Sequence, residues 1–275
     1  MTGQHDKAIN DYTEVIRHNP NFADAYQGRG ISRDKKRQWD EAIADYTEAI
    51  KLKPDYFGYY NKLGSAFFEK GQWDDAIRDY TEAIRLDPND DEYDCTLAHH
   101  YYCRGEAYAR KNKHDEAISD LSEYIRLERY FVSYVERGMA YYKKEMYDEA
   151  IEDYTRSLKY DYLDDADIYF KRGMAYRKKN LWDEAIADYT KAIKHFANHA
   201  SVYYNRGCAY EEKGMSAEAL RDFEEALYIE PDHLLASCKK SKIESEKWPD
   251  FEGISEEAAK KQKAKTSGTD EENIE

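Results

Sequence analysis

The stretch YYNRGCAYEEKG at residues 203–214 places a glycine directly after an arginine in a segment that otherwise has the pattern of an amphipathic helix. Glycine inside a helix costs roughly 1 kcal/mol relative to alanine, so this glycine needs a structural reason. Five further stretches have the same arrangement: YQGRGISRDKKR from 26, YNKLGSAFFEKG from 60, YYCRGEAYARKN from 101, YVERGMAYYKKE from 134 and YFKRGMAYRKKN from 169. The glycine therefore belongs to an internal repeat.

The period of this repeat is about 34 residues. The steps from one glycine to the next are 34, 41, 33, 35 and 34 by subtraction along Gly30, Gly64, Gly105, Gly138, Gly173 and Gly207. Each glycine is followed twelve residues later by an alanine: Ala42, Ala76, Ala117, Ala150, Ala185 and Ala219. Because the spacing is constant inside a unit and varies only between units, each unit is predicted to be a rigid helical hairpin with an adjustable connection to the next.

The small residues predict where the two helices of a hairpin cross. The first helix carries a tyrosine four residues before the glycine, and the second helix, for example EAIADYTKAI, has apolar residues at helical spacing. We expect glycine and alanine there because a larger side chain would wedge the helices apart. The alternative is a kink at each glycine, but the helical periodicity continues across every one of them.

An ion-pair ladder is also predicted. Five units have an arginine before the glycine: Arg29, Arg104, Arg137, Arg172 and Arg206. Every second helix has an aspartate before its central aromatic or apolar residue: Asp45, Asp79, Asp120, Asp153, Asp188 and Asp222. We expect Arg137 with Asp153, and their counterparts, to form partly buried pairs. The alternative is that both side chains are solvated and contribute little to stability.

The pattern of aromatic, small residue, aromatic, alanine and closing proline on this period resembles the tetratricopeptide repeat, over about residues 1–247. The resemblance implies an all-α, right-handed superhelical solenoid of antiparallel helix hairpins. It has about six full repeats, an N-terminal half repeat and a C-terminal capping helix. The arginine before the glycine departs from the family pattern, which has leucine there.

The expected organisation follows from the repeat boundaries. We expect a half repeat at 1–22, repeats at 23–56, 57–90, 98–130, 131–165, 166–199 and 200–233, a capping helix at 234–248 and a disordered tail at 249–275. The long step between the second and third glycines places an insertion at 91–97. This insertion is either a bent joint or an ordinary surface loop.

Composition excludes several classes of function. The formal net charge is −15, which disfavours a nucleic-acid partner because phosphate binding needs clustered Lys and Arg. No segment has the length and apolarity of a signal peptide or a membrane span, so no membrane partner is expected. The four cysteines form no CxxC pair, which favours reduced thiols and a cytoplasmic location.

Signatures of catalysis are missing from the sequence. It has no phosphate-binding glycine loop, no nucleophile elbow and no HExxH motif, so we expect no enzyme activity and no cofactor. His99 with Cys103, and His195 with His199, have the i, i+4 spacing of metal ligands. Two ligands do not complete a site, and the pairs lie about three repeats apart. No metal is expected.

The resemblance implies a scaffold or adaptor that holds another protein, through a peptide or helical segment, on the concave surface of its first helices. A different class of function is a structural solenoid that associates with itself. In that alternative the open N-terminal end, where Ile9, Tyr12 and Val15 are left partly uncovered, is the contact surface.

A candidate groove follows from the first-helix positions that should face the concavity. From the third unit onward these positions are apolar or aromatic: Tyr102, Val135, Met139, Tyr142, Phe170, Met174, Tyr204 and Cys208. A basic rim accompanies them: Arg110, Lys143, Lys171, Arg177 and Lys178. We expect a partner segment with apolar anchors and acidic flanks. The alternative is that these side chains pack between neighbouring first helices, or are covered by Trp248 and Phe251.

Overall fold

The computed structural model describes residues 2–87, 96–128, 132–159, 166–195 and 197–247. Within these ranges it has fourteen α-helices and no strand. The chain divides into two units, Met1–Leu163 and Asp164–Glu275, each an array of antiparallel helix hairpins. The all-α hairpin array predicted from the sequence is confirmed.

The first unit begins with a single helix, which four hairpins follow. Their bounds are α1 Thr2–His18, α2 Ala23–Asp34, α3 Trp39–Leu52, α4 Phe57–Glu69, α5 Trp73–Leu86, α6 Thr96–Arg110, α7 His114–Glu128, α8 Val132–Lys143 and α9 Tyr147–Ser157. Helix α1 packs against α2, and each later helix of this unit packs against its chain neighbours within the unit.

The second unit has two hairpins and a final single helix. Their bounds are α10 Ala166–Lys178, α11 Trp182–His195, α12 Ala200–Glu212, α13 Ser216–Ile229 and α14 Leu234–Lys247. Ala236 and Ile243 of α14 are buried in one core with Phe223 and Ala226 of α13. The even-numbered helices up to α12 are called first helices below, and their odd-numbered successors second helices.

Two sequence predictions fall partly or wholly outside the described residues. Helix α6 begins at Thr96, so the last two residues of the insertion expected at 91–97 are helical. Residues 88–95 lie outside the described ranges, as does everything after 247, including the expected tail with Trp248 and Phe251.

The repeated glycines lie where the two helices of each hairpin cross. A Cβ atom added at Gly138 would be 2.8 Å from the ring of Tyr154, closer than real Cβ contacts, and one at Gly207 would be 2.8 Å from the ring of Phe223. The alanines twelve residues after the glycines are fully buried. The predicted close crossing is confirmed. An aromatic ring occupies the space of the missing side chain in five hairpins, and at Gly105 the neighbour is Leu121 at 3.2 Å.

Every hairpin turn has the same backbone form. The residue seven positions after the glycine has positive φ in all six hairpins: Arg37, Gly71, Asn112, Glu145, Asn180 and Gly214. The next residue donates its N–H to a carbonyl five positions earlier, as Met146 does to Tyr141 at 3.0 Å. This is the hydrogen bond that closes a Schellman motif at a helix C-terminus. The turn length is therefore fixed by backbone geometry.

Candidate interaction surface

The arginine ladder holds each first helix against its second helix. In the hairpin of α8 and α9, Arg137 donates from Nε and Nη2 to the two carboxylate oxygens of Asp153, at 2.7 and 2.8 Å. The side chains are 13% and 3% exposed. The pairs are Arg29–Asp45, Arg104–Asp120, Arg137–Asp153, Arg172–Asp188 and Arg206–Asp222. The predicted ladder is confirmed, and the solvated alternative is wrong.

Four of these arginines, Arg29, Arg104, Arg137 and Arg206, also reach the helix that precedes their own hairpin. The Nη1 atom of Arg137 donates to the hydroxyl of Ser122 at 3.0 Å, and that of Arg206 donates to Thr190 at 3.0 Å. Burial lowers the pKa of Arg137, but the hydrogen bonds and charge of Asp153 outweigh it and leave that pKa above its ordinary value. Sequence reasoning missed the hydroxyl partners, whose signal is a Ser or Thr two residues after the aspartate in α3, α5, α7, α9 and α11.

The second hairpin lacks the arginine because Leu63 stands in its place. The buried Asp79 is reached instead by Arg78 of its own helix, at 3.1 Å from Nε, and the Arg78 side chain is mostly exposed. Burial raises the pKa of Asp79, and the hydrogen bond from Arg78 offsets only part of that effect. The Nη2 atom of Arg78 also lies 3.4 Å from the other carboxylate oxygen, so Asp79 is a buried carboxylate whose arginine comes from its own exposed helix surface and not from the first helix.

A second set of ion pairs joins neighbouring hairpins at their turns. A lysine six residues after the glycine binds an aspartate near the start of the helix that precedes its hairpin. The pairs are Lys36–Asp6, Lys70–Asp40, Lys111–Asp74, Lys144–Asp115 and Lys213–Asp183. Sequence reasoning did not predict these pairs, although the lysine recurs at a fixed distance from the glycine.

In the first unit, four predicted groove residues lie on α6 and α8. Val135, Met139 and Tyr142 follow one another along one face of α8, at helical spacing. Met139 is 36% exposed, while the other two are half-buried. Tyr142 makes an edge contact with Tyr147, with ring centroids 5.5 Å apart. On the neighbouring α6, Tyr102 is half-buried with its ring 5.2 Å from that of Tyr124.

The predicted rim residues of this unit end the two helices. Arg110 is the last residue of α6 and Lys143 is the last residue of α8, and both are exposed. Sequence reasoning missed two carboxylates that precede these cations on the same helices, Glu106 and Glu136. Burial raises the pKa of Glu106, and the charge of Glu136 raises it further. The surface is therefore acidic near its middle and basic at one end.

In the second unit, the predicted groove residues contribute more to the hairpin cores. Phe170 lies 5.9 Å from the ring of Tyr189, and Met174 packs in the same cluster. Tyr204 lies 5.0 Å from the ring of His233, and burial raises its pKa to about 12. Cys208 is only 6% exposed and belongs to the core. Its assignment to a groove surface is corrected, because α14 and α13 enclose it.

The predicted rim residues of the second unit differ in exposure. Lys171 is paired with Asp167 one turn before it on α10. Arg177 is half-buried, and Lys178 is exposed at the end of the helix.

One of the two pairs with metal-ligand spacing brings its side chains close together. The Sγ atom of Cys103 lies 3.4 Å from Nε2 of His99. Across the described ranges, no group of three or more His, Cys, Asp or Glu side chains is arranged to hold a metal ion. None of the helices described above has both the length and the apolarity that crossing a membrane requires.

Family models match most of the hairpins. Models described as TPR repeat and tetratricopeptide repeat match residues 35–71, 64–112, 135–194 and 200–233, together more than half of the chain. This chain belongs to the tetratricopeptide repeat (TPR) family. The TPR fold generally mediates protein–protein interaction and scaffolding, and its members are generally non-catalytic. No curated protein sequence matches the chain.

Solved structures share the fold at low sequence identity. The C-terminal part of a TPR repeat-containing protein from Cytophaga hutchinsonii has a TM-score of 0.71 at 18% identity, covering 86% of this chain and 94% of its own. A tetratricopeptide repeat protein from Parabacteroides merdae has 0.58 at 18%, covering 88% and 93%. The Cut9–Hcn1 hetero-tetramer of the APC/C has 0.59 at 21%, and this chain, 88% covered, spans 46% of the matched chain.

Proposed function

We propose that this TPR protein is a non-catalytic scaffold or adaptor that binds a peptide or helical segment of another protein on the first-helix surface of α6 and α8. The observation that carries the proposal is Met139, a large apolar side chain left 36% exposed on a first helix. Exposed methionine beside tyrosine suits an adaptable binding surface, because its unbranched side chain rearranges around different partners.

The shape of the surface supports an apolar anchor. Val135, Met139 and Tyr142 lie at helical spacing along one face of α8. Tyr102 on α6 is close enough to α8 that the charge of Glu136 adds to the effect of burial in raising its pKa. In the second unit, the residue that corresponds to Met139 is Met174, which packs into the hairpin core. Phe170 and Tyr204 are half-buried, and no large apolar residue described on α10 or α12 is as exposed as Met139, so these two helices offer a lesser contact surface.

The charges specify the orientation of the partner. Arg110 and Lys143 attract a carboxylate at the C-terminal ends of α6 and α8, while Glu106 and Glu136 attract a cation or a hydrogen-bond donor nearer the middle. The partner segment therefore has an apolar anchor over Met139, an acidic residue toward the two cations, and a basic or hydrogen-bond-donating residue toward the carboxylates.

The test uses a display library of random peptides about 15 residues long, selected on the full chain. Met139→Glu places a charge on the apolar face of α8, so the selected peptides should bind this variant at least about tenfold more weakly. Fluorescence anisotropy with labelled peptides measures the affinity, and thermal unfolding checks that the exposed substitution leaves stability unchanged.

The matched control tests the role of charge. Arg110→Glu with Lys143→Glu should weaken the same peptides, whereas Lys194→Glu with Arg221→Glu, which changes exposed cations on second helices, should not. Peptides that bind Met139→Glu as tightly as they bind the natural chain would contradict the proposed surface. A library that yields no binding peptide would contradict it as well.

A further inference from the structure

Helix α1 has the sequence pattern of a second helix. The face that other second helices pack against the first helix of their hairpin is partly exposed in α1. Ala8, Asp11 and Tyr12 stand one repeat period before three residues of α3 that are buried against α2. Those three residues are Ala42, Asp45 and Tyr46. In α1, by contrast, Ala8 and Tyr12 are half-buried and Asp11 is exposed. Within the described ranges Asp11 has no ion pair, whereas its equivalent Asp45 binds a ladder arginine.

Helix α14 has the sequence pattern of a first helix. The face that other first helices pack against the second helix of their hairpin is partly exposed in α14. Lys240 and Ser241 stand one repeat period after Arg206 and Gly207, so a cation and a small residue occupy the positions of the ladder arginine and the crossing glycine. Leu234 stands one repeat period after Ala200, which is buried in the hairpin core of α12 and α13. Leu234 itself is 82% exposed.

The contacts of Lys240 support this register. Arg206 makes two contacts: Nη1 donates to Thr190 on the preceding second helix, and Nη2 donates to Asp222 on the second helix of its own hairpin. Lys240 makes the first of these contacts, at 3.1 Å to Glu224, which stands one repeat period after Thr190. It also lies 3.7 Å from Glu244 of its own helix. Among the described residues it has no aspartate in the place of the second contact.

We propose that α14 of one copy pairs with α1 of a second copy, so that the two helices form a hairpin like those inside the chain. Lys240 then binds Asp11 of the second copy as Arg206 binds Asp222. The aromatic ring of Tyr12 covers Ser241 as Phe223 covers Gly207. Leu234 meets Val15, which is 38% exposed and corresponds to the buried Ala226.

The two faces are complementary in charge and in size. Lys240 and Asp11 carry opposite charges, and Ser241 is a small residue opposite a ring. Serine is larger than glycine, so the ring of Tyr12 sits slightly further from α14 than Phe223 does from α12. The ring lies against Gly28 on its other side. A surface of this kind, in which one end binds the other, produces head-to-tail association, which either closes into a ring or continues as an open filament.

The proposal goes beyond partner binding on α6 and α8, and it is tested with the full chain alone. Sedimentation velocity over a range of concentrations should show masses above the monomer that grow with concentration. Ser241→Arg places bulk at the crossing and should weaken the association constant by about tenfold or more.

The control for added bulk is Ala217→Arg, which changes an exposed small residue in the first turn of α13. Helices of this chain pack mainly against their chain neighbours, so the paired α1 of a second copy contacts α14 and leaves that face of α13 free. Ala217→Arg should therefore associate as the natural chain does.

A charge exchange separates pairing from misfolding. Asp11→Lys and Lys240→Asp should each associate more weakly alone, and an equimolar mixture of the two variants should recover the association. A natural chain that stays monomeric at every concentration would overturn the proposal. Equal association of Ser241→Arg and the natural chain, or a mixture that associates no better than its components, would also overturn it.

Discussion

At the scale of single residues, the ladder aspartates show how a buried arginine changes the contribution of a buried carboxylate to stability. Asp153 is buried with a bidentate arginine, while Asp79 is buried with only an exposed arginine beside it. A buried charge that loses its partner is strongly destabilising, because the solvation it gave up is no longer compensated. The two positions belong to the same repeat pattern and form a natural comparison.

Replacing each aspartate by asparagine should separate the two cases. Asp153→Asn leaves Arg137 facing a neutral amide, so we expect the free energy of unfolding to fall by about 3 kcal/mol. Asp79→Asn removes a carboxylate that burial already disfavours, so the loss near pH 7 should be much smaller. Urea unfolding monitored by circular dichroism measures both. Equal losses would show that the arginine is not what matters.

The pKa of Asp79 predicts how the stability difference between Asp79→Asn and the natural chain changes with pH. The folded-state pKa of Asp79 lies above the ordinary value of 3.8, so its protonated form is favoured by folding. The contribution of this group to stability is fully present below that ordinary value and is lost as the pH rises through the folded pKa. As the pH rises from about 3 to 7, the free energy of unfolding of Asp79→Asn should therefore increase relative to that of the natural chain. A relative loss over that range would contradict the assignment.

At the scale of elements, the hairpin turn places one residue in the left-handed region. Two hairpins use glycine there, Gly71 and Gly214, and two use asparagine. The other two use Arg37 and Glu145, whose side chains make positive φ unfavourable by about 1–2 kcal/mol. The turn persists because the hydrogen bonds that close the helix end require this conformation.

Glu145→Gly should stabilise the chain. Glycine removes the backbone strain, and its greater freedom in the unfolded state offsets part of the gain, so we expect about 0.5–1 kcal/mol. Thermal and urea unfolding give the change. Asn180→Gly is the control, because asparagine already tolerates positive φ and should gain little. A destabilised Glu145→Gly chain would show that the glutamate side chain has a role of its own.

The hairpins were predictable from the sequence because their constraints recur. The glycine, the buried alanine and the arginine–aspartate pair appear at fixed positions in the repeat period, so an error at one unit is corrected by the others. The positive-φ position in the turn, by contrast, holds four different residue types. Its conformation was therefore not visible in the residue pattern.

The interaction surface was less predictable because it departs from the repeat. Glu106 stands where later units have Met139, Met174 and Cys208, and only the structure shows its burial beside Glu136. The burial of Cys208 depends on how α14 encloses the last hairpin. Such differences arise from long-range packing, which a local pattern does not contain.

At the scale of the whole molecule, the two units differ in how many hairpins they contain. The unit Met1–Leu163 has four hairpins, and Asp164–Glu275 has two with α14. In repeat proteins, stability is approximately a sum of repeat terms and contacts between neighbours, so a longer array has more of both. Each unit has its own buried core residues.

The unit Met1–Leu163 should therefore fold when it is produced alone. We expect helical circular dichroism per residue close to that of the whole chain and a cooperative thermal transition. The unit Asp164–Glu275, with fewer neighbour contacts, should unfold at a lower temperature. Absence of a cooperative transition in Met1–Leu163 would show that its hairpins depend on the rest of the chain.

The two contacts of a ladder arginine also bear on how the number of repeats changes in evolution. One repeat contains the arginine, the aspartate that binds it, and a hydroxyl that accepts a hydrogen bond from the arginine of the following repeat. On α11, Asp188 binds Arg172 and Thr190 accepts from Arg206. A duplicated repeat therefore arrives with a donor for the unit before it and an acceptor for the unit after it. Gain or loss of whole repeats of this kind leaves each guanidinium matched, so selection can lengthen the array one gene duplication at a time.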